Sequence, residues 1–284
     1  MSHLDLGKYE AGFRALPVNG AMLAIADHDD LREAGVEAGM HRKELMRRLE
    51  EFRVGGVPLE LLDVDALLAK RVLQSEDIGF VIRSMWEHLE TDEVLEAAFD
   101  SLGTLARKSE NQDALVAKGG VEAVVWAMGV QRSSVAVQEG GCCFLANLAA
   151  NNEENAVAVT AKGGIEAVVR AMGAHGWSEE VQVLGCGVFL NLASPTAENA
   201  VVIAANGGVE AVVRAMGAHA SSWRVQENGC WALANIVRWG SELQSQVREA
   251  GAIPLVEKAL SAFPCRVPLQ EKGKRLMKTF SEAE

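Results

Sequence analysis

Gly207 to Val237 reads GGVEAVVRAMGAHASSWRVQENGCWALANIV, and most of the chain is a variation on it. Moved back by 44 residues, the pair Gly207-Gly208 falls on Gly163-Gly164 and then on Gly119-Gly120; moved forward, it meets Gly251-Ala252. Asn235 recurs as Asn191 and Asn147, Cys230 as Cys186 and Cys142, Gln226 as Gln182 and Gln138, and Met216 as Met172 and Met128. A register held over so many positions without an insertion identifies one supersecondary unit copied along the chain. A period of about 40–47 residues belongs to helical solenoids.

Within each copy the pattern is helical. Val209, Val212, Val213 and Met216 fall on one face at i, i+3, i+4 and i+7. Glu210 stands in the first turn, where a negative side chain favours the positive end of the helix dipole. Pro254 takes that place in the next copy, where early amides have no intrahelical partner to lose. A second long helix is predicted through VQENGCWALANIV, and a shorter one over Ala197 to Ala205. Gly207-Gly208 is expected to stop the short helix and turn the chain sharply.

Three glycine-punctuated helices per unit resemble armadillo repeats. WALANI at Trp231 to Ile236 is similar to the third-helix signature of importin-alpha and beta-catenin, and GGVEAVVRAM to the second helix. The resemblance implies that third helices line a concave groove. There an asparagine ladder, with tryptophans one turn earlier, holds an extended peptide. Asn147, Asn191 and Asn235 carry the asparagine part, and Trp231 alone carries the tryptophan part, because Cys143 and Gly187 fill the matching places. That departure argues against importin-like recognition of nuclear signals but leaves the groove.

The 284 residues are 49% apolar, enough for a large core and more than one domain. A net charge of −12 argues against nucleic-acid binding by the surface as a whole and is compatible with basic protein partners. Five cysteines without CxxC spacing suit a reducing cytoplasmic or nuclear setting. Cys142, Cys186 and Cys230 recur one layer apart, roughly 10 Å for packed helices. Disulfides need Cα atoms within about 7 Å, so these thiols are expected as small core fillers. Asp5, Lys8, Glu10 and Arg14 do not read as a signal peptide, and no apolar run reaches membrane-spanning length.

The first fifty or so residues (1–54) break the repeat and are similar to a SAM domain, a small five-helix bundle. The matching pieces are Leu6 to Phe13, Gly20 with Leu23, Asp30-Leu31 with Gly35-Val36, and Gly39, His41 and Arg42 opening a last helix. Leu45, Leu49 and Phe52 give that helix its buried stripe, although the family's usual tryptophan-leucine start is missing. SAM domains associate head to tail through an acidic and a basic surface. Asp27, Asp29, Asp30 and Glu33 match the first, and Arg42, Lys43 and Arg47 the second; a solvated surface of mixed charge is the equally weighted alternative. RNA binding by this helix is the lesser alternative, since Glu44, Glu50 and Glu51 dilute its basic residues.

Gly55-Gly56 and Pro58 mark a boundary, and 55–75 reads as linker and solenoid N-cap, with a helix over Ala66 to Leu73. Armadillo copies then fill 76–284: a degenerate one from Ile78 in which Thr104 replaces the asparagine, three full ones, and a half-unit from Gly251 to Phe280. Lys272, Lys274, Arg275 and Lys278 would make that last helix a polar cap. The predicted fold is therefore all-α, a SAM bundle followed by a right-handed armadillo solenoid.

The asparagines are the leading site candidates, because an exposed amide offers a peptide backbone both a donor and an acceptor. A layer spacing of roughly 10 Å matches about three residues of extended peptide at ~3.3 Å each. Trp231, Trp239 and Arg238 would add apolar and cationic contacts, with Gln182 and Gln226 as weaker candidates. His88, His175 and His219 recur too far apart to share a metal and are expected to cap helix C-termini. HExxH, GxxxxGK[ST] and GxSxG are absent. The expectation is a non-enzymatic scaffold without a cofactor. Its groove binds an extended partner segment, and its SAM domain binds another SAM domain or a second copy. The alternative is a nucleotide-responsive module: armadillo plus SAM resembles the NAD-cleaving neuronal adaptors, although the order is reversed and no TIR domain is present in these residues.

Overall fold

The computed structural model describes residues 78–87 and 92–281. Chain packing divides the protein into two units, Met1–Arg71 and Val72–Glu284, and every described residue belongs to the second. The SAM-like segment and the predicted helix at Ala66 to Leu73 lie outside the described residues.

Fourteen helices and no strand occur among the described residues. A two-helix unit comes first, α1 (Ile78–Glu87) and α2 (Asp92–Ala106). Four complete three-helix layers follow. They are α3 (Ser109–Ala117), α4 (Gly120–Val130) and α5 (Val135–Ala149); then α6 (Glu153–Ala161), α7 (Gly164–Ala174) and α8 (Glu179–Leu192). Next come α9 (Ala197–Ala205), α10 (Gly208–Ala218) and α11 (Trp223–Val237), and last α12 (Ser241–Glu249), α13 (Ala252–Ala262) and α14 (Val267–Ser281). The expected C-terminal half-unit is thus a whole layer, whose first helix is polar enough to hide the apolar signal that marks its counterparts. No single described helix is long and apolar enough to cross a membrane.

Gly119, Gly163, Gly207 and Gly251 all take left-handed φ values between 79° and 82°. That conformation costs an L side chain about 1–2 kcal/mol, so the glycine is the one invariant residue of the turn. Across Gly207 the chain bends by 70° from α9 into α10. Serine begins three of the third helices: Ser134, Ser178 and Ser222 accept the backbone N–H of Val137, Val181 and Val225.

The third helices α2, α5, α8, α11 and α14 stack side by side, as do the second helices α1, α4, α7, α10 and α13. Val181, Cys186, Phe189 and Leu192 from α8, and Ile165, Val168 and Met172 from α7, typify the buried seam between them. The two helices approach closely because glycine faces the methionine: a Cβ at Gly185 would lie 2.5 Å from Met172 Sδ, and one at Gly141 would lie 2.5 Å from Met128 Sδ.

A glutamine, buried in the first three and half-buried in the last, joins the same two helices in each of the four complete layers. Gln182 Nε2 donates to Met172 O at 3.1 Å and to His175 O at 3.0 Å. Gln138 does the same to Met128 and Gln131, Gln226 to Met216 and His219, and Gln270 to Leu260 and Phe263. These carbonyls end the second helix and have no intrahelical partner of their own. Gln182→Leu keeps the volume but strands Met172 O, while His175 O keeps the backbone N–H of Ser178 at 3.0 Å, so it is expected to lower stability by about 1–3 kcal/mol, read as a fall in the urea midpoint. An unchanged midpoint would show that the tie is not needed.

Candidate functional site

The third helices place one residue of each layer in a continuous row. The asparagine row runs Thr104, Asn147, Asn191, Asn235 and Thr279 across α2, α5, α8, α11 and α14. Its asparagines are not free. Asn191 Nδ2 donates to Ala146 O at 2.8 Å, Asn235 Nδ2 to Leu190 O at 2.9 Å, and Asn147 Nδ2 to Gly103 O at 3.4 Å. Each therefore bridges to the third helix of the preceding layer. Asn147 and Asn191 are half-buried, whereas Asn235 is 6% exposed. The amide nitrogen has a structural partner, and Oδ1 is the atom left to offer an incoming segment.

Trp231 is half-buried, and Lys272 Nζ lies 4.5 Å from the centre of its ring. At the matching place in α8, Gly187 stands against the next layer: a Cβ there would lie 3.6 Å from Asn228 Nδ2, and that amide donates to Val183 O. Trp239 donates its indole N–H to Ala193 O at 2.8 Å, and exposed Arg238 lies over its ring at 4.6 Å with a long contact to Ser194 O. Both side chains sit at the C-terminal edge of the row and are tied to the layer before.

Gln182 and Gln226 do not reach the groove. Each is 2% exposed and has its amide hydrogens on carbonyls of the second helix, so the sequence recurrence that suggested a ligand row reflects an internal tie. The histidines stand where capping was expected and make a further tie besides. His175 and His219 occupy the C-cap position, but their Nε2 atoms donate to Arg132 O and Gly176 O of the preceding layer, each at 2.8 Å. His88 lies outside the described residues. Among the described residues no three His, Cys, Asp or Glu side chains gather in a way that would hold a metal.

Sequence reasoning missed a cleft of about 310 Å³. It lies between α2, α5 and α8 and is lined by Glu96, Phe99, Asp100, Glu139, Cys143, Glu180 and Leu184, among others. Four carboxylates face one opening. Glu180 is shared with Arg224 of the next layer through N–O distances of 2.6 and 3.0 Å. The other missed feature is aromatic: Trp86 and Trp126 are 43% and 56% exposed with ring centres 6.1 Å apart, on the second-helix side.

The LRRK2 ARM repeat family matches residues 64–265, more than half of the chain, and the protein belongs to this armadillo-repeat family. An engineered protein has 26% identity, a TM-score of 0.63, and overlap covering 72% of this chain and 78% of that one. A designed armadillo repeat protein in complex with the peptide (KR)4 has 20% identity and a TM-score of 0.65, covering 94% of this chain and 99% of its own. A chain from a structure of the interaction between cadherin and beta-catenin has 18% identity and a TM-score of 0.65, covering 88% of this chain and 51% of its own. No curated protein matches the sequence.

Cys142, Cys186 and Cys230 are buried in the third helices, and burial pushes each thiol up from 9.0 to about 12. They stay protonated and inert. The folded state keeps three protons that the unfolded chain releases above pH 9 or so, hence stability is complete below that pH and falls as pH rises toward 12. Alkylation of the folded protein at pH 8 should modify exposed Cys265 and spare these three, as mass spectrometry of tryptic peptides would show.

Proposed function

We propose that the protein is a non-enzymatic scaffold whose third-helix face binds an extended segment of a partner protein. The observation that carries this reading is the in-register row of asparagines beside an open, carboxylate-lined cleft on stacked third helices. The armadillo fold is typically a protein-binding scaffold, and the designed relative carries a Lys-Arg peptide. Glu96, Asp100, Glu139 and Glu180 supply carboxylates suited to such a cationic side chain. Asn147, Asn191 and Asn235 would accept backbone N–H groups of the segment through Oδ1, with Trp231 packing on its side chains and Arg238 at the edge. Layers roughly 10 Å apart would present one such oxygen about every third residue of an extended chain.

The SAM-like segment would add a second mode, self-association or pairing with another SAM domain. Asp27, Asp29, Asp30 and Glu33 would form one surface, and Arg42, Lys43 and Arg47 the other. Opposed patches on one small domain make a heterologous contact that propagates into chains or closes into rings.

Binding of fluorescent basic peptides to the full chain, read by anisotropy, tests the groove. Asn191→Ala with Asn235→Ala is expected to weaken binding at least tenfold while circular dichroism still reports a folded helical protein; equal affinity in both proteins sinks the assignment. For the SAM surface, sedimentation of wild type against Asp30→Lys is decisive. Wild type is expected to associate and the variant to remain monomeric, and two identical monomers would remove this mode.

A further inference from the structure

The rows that flank the asparagines change sign along the stack. One turn before each rung the residues are Asp100, Cys143, Gly187, Trp231 and Arg275 from α2 to α14. The neighbouring row runs Ala97, Gly140, Leu184, Asn228 and Lys272, and the next outward reads Ala136, Glu180 and Arg224 from α5 to α11. Helices α2, α5 and α8 contain no lysine or arginine at all. The cleft among them has Glu96, Asp100, Glu139 and Glu180 on its walls, and Arg224 from α11 is the cation that meets them, paired with Glu180 at the far edge.

At the other end, half-buried Lys272 rests on Trp231, and exposed Arg275 takes the place in α14 that Trp231 holds in α11. A fourth row runs Glu96, Glu139, Val183, Glu227 and Glu271, and its carboxylates do not reverse. Neither Glu227 nor Glu271 forms an ion pair with Lys272 or Arg275 among the described residues. The reversal falls at one contact, the pair between Glu180 and Arg224 that joins α8 to α11.

Resting on the groove reading above, we infer that the partner segment itself is bipolar. It carries lysine or arginine where it crosses α2, α5 and α8, and aspartate or glutamate where it crosses α11 and α14. The cleft and the Lys272–Trp231 pair are two to three layers apart, roughly 25 Å at about 10 Å per layer. That distance corresponds to about eight residues of extended chain. A uniformly basic segment would lay its second half against Lys272 and Arg275, where like charges facing one another suppress the wrong partner. A uniformly acidic one would meet Glu96, Asp100 and Glu139 in the cleft, beside the Glu180–Arg224 pair. The charge order thus selects both the partner and the direction in which it lies.

Anisotropy titrations of the full chain at low salt would compare five labelled peptides of equal length. Two have a basic end and an acidic end separated by about eight serine and alanine residues, one in each chain direction. The third is wholly basic, the fourth wholly acidic, and the fifth has the bipolar composition with its charges alternating. One bipolar peptide is expected to bind at least tenfold tighter than each of the other four. Lys272→Glu with Arg275→Glu should erase that advantage and make the wholly basic peptide the tightest ligand. If the basic or alternating peptide binds wild type as tightly as both bipolar ones, and Asn191→Ala with Asn235→Ala still weakens it, the charge order is wrong and the groove stands. If no peptide binds, or if the asparagine changes leave all affinities unchanged, the groove and the inference fall together.

Discussion

Everything in this solenoid depends on how the second helix of a layer ends. Its last carbonyls turn toward the third helix, where those of Met128, Met172 and Met216 are buried and an unpaired acceptor costs about 1–3 kcal/mol. One glutamine per layer meets that demand, with two hydrogens on a single nitrogen directed to two carbonyls. The geometry fixes the angle between the two helices, and the glycine opposite Met172 or Met128 fixes their separation. With both set, the third helices emerge at the same tilt in every layer and their exposed residues fall into rows. The putting of like residues in line is a by-product of satisfying buried acceptors.

The face so produced has two kinds of polar group. Asparagine and tryptophan N–H groups hold neighbouring layers together, as do Ser178 on Glu139 and Arg224 on Glu180, whereas Glu96, Asp100 and Arg275 are exposed. Stability and recognition therefore overlap at Glu139 and Glu180, which line the cleft and also accept ties from the next layer. An asparagine serves both purposes only because its nitrogen and oxygen point to different partners.

The sequence made the layers legible because their period is strict: α9 spans Ala197–Ala205 as the glycine pair implies, and Cys142, Cys186 and Cys230 are buried as their recurrence implies. Recurrence did not distinguish a residue that repeats for packing from one that repeats for binding. Gln182 and Asn191 recur with the same period, yet the first is sealed inside and the second lies on the face. What separates them is position on the helix relative to the neighbouring layer, a tertiary fact. The cleft was hidden for the opposite reason. Asp100, Glu139 and Glu180 sit at three different places in the period, so they gather only when three helices are stacked. Summing charge over the whole chain also masked the opposition between α2 and α14.

The ties between layers share a polarity. Asn147, Asn191 and Asn235 reach back to a carbonyl of the previous layer, as do Asn228, Trp239, His175 and His219. Ser178, Ser222 and Arg224 reach back to its carboxylates. A ribosome releases the acceptor side of each junction first. A nascent stack always ends in carbonyls and carboxylates that water hydrates well, and every newly emerging layer brings the donors that lock it onto its predecessor. Growth from the N-terminus is thereby zipped in the order of synthesis, since at each of these junctions the acceptor is in place before its donor.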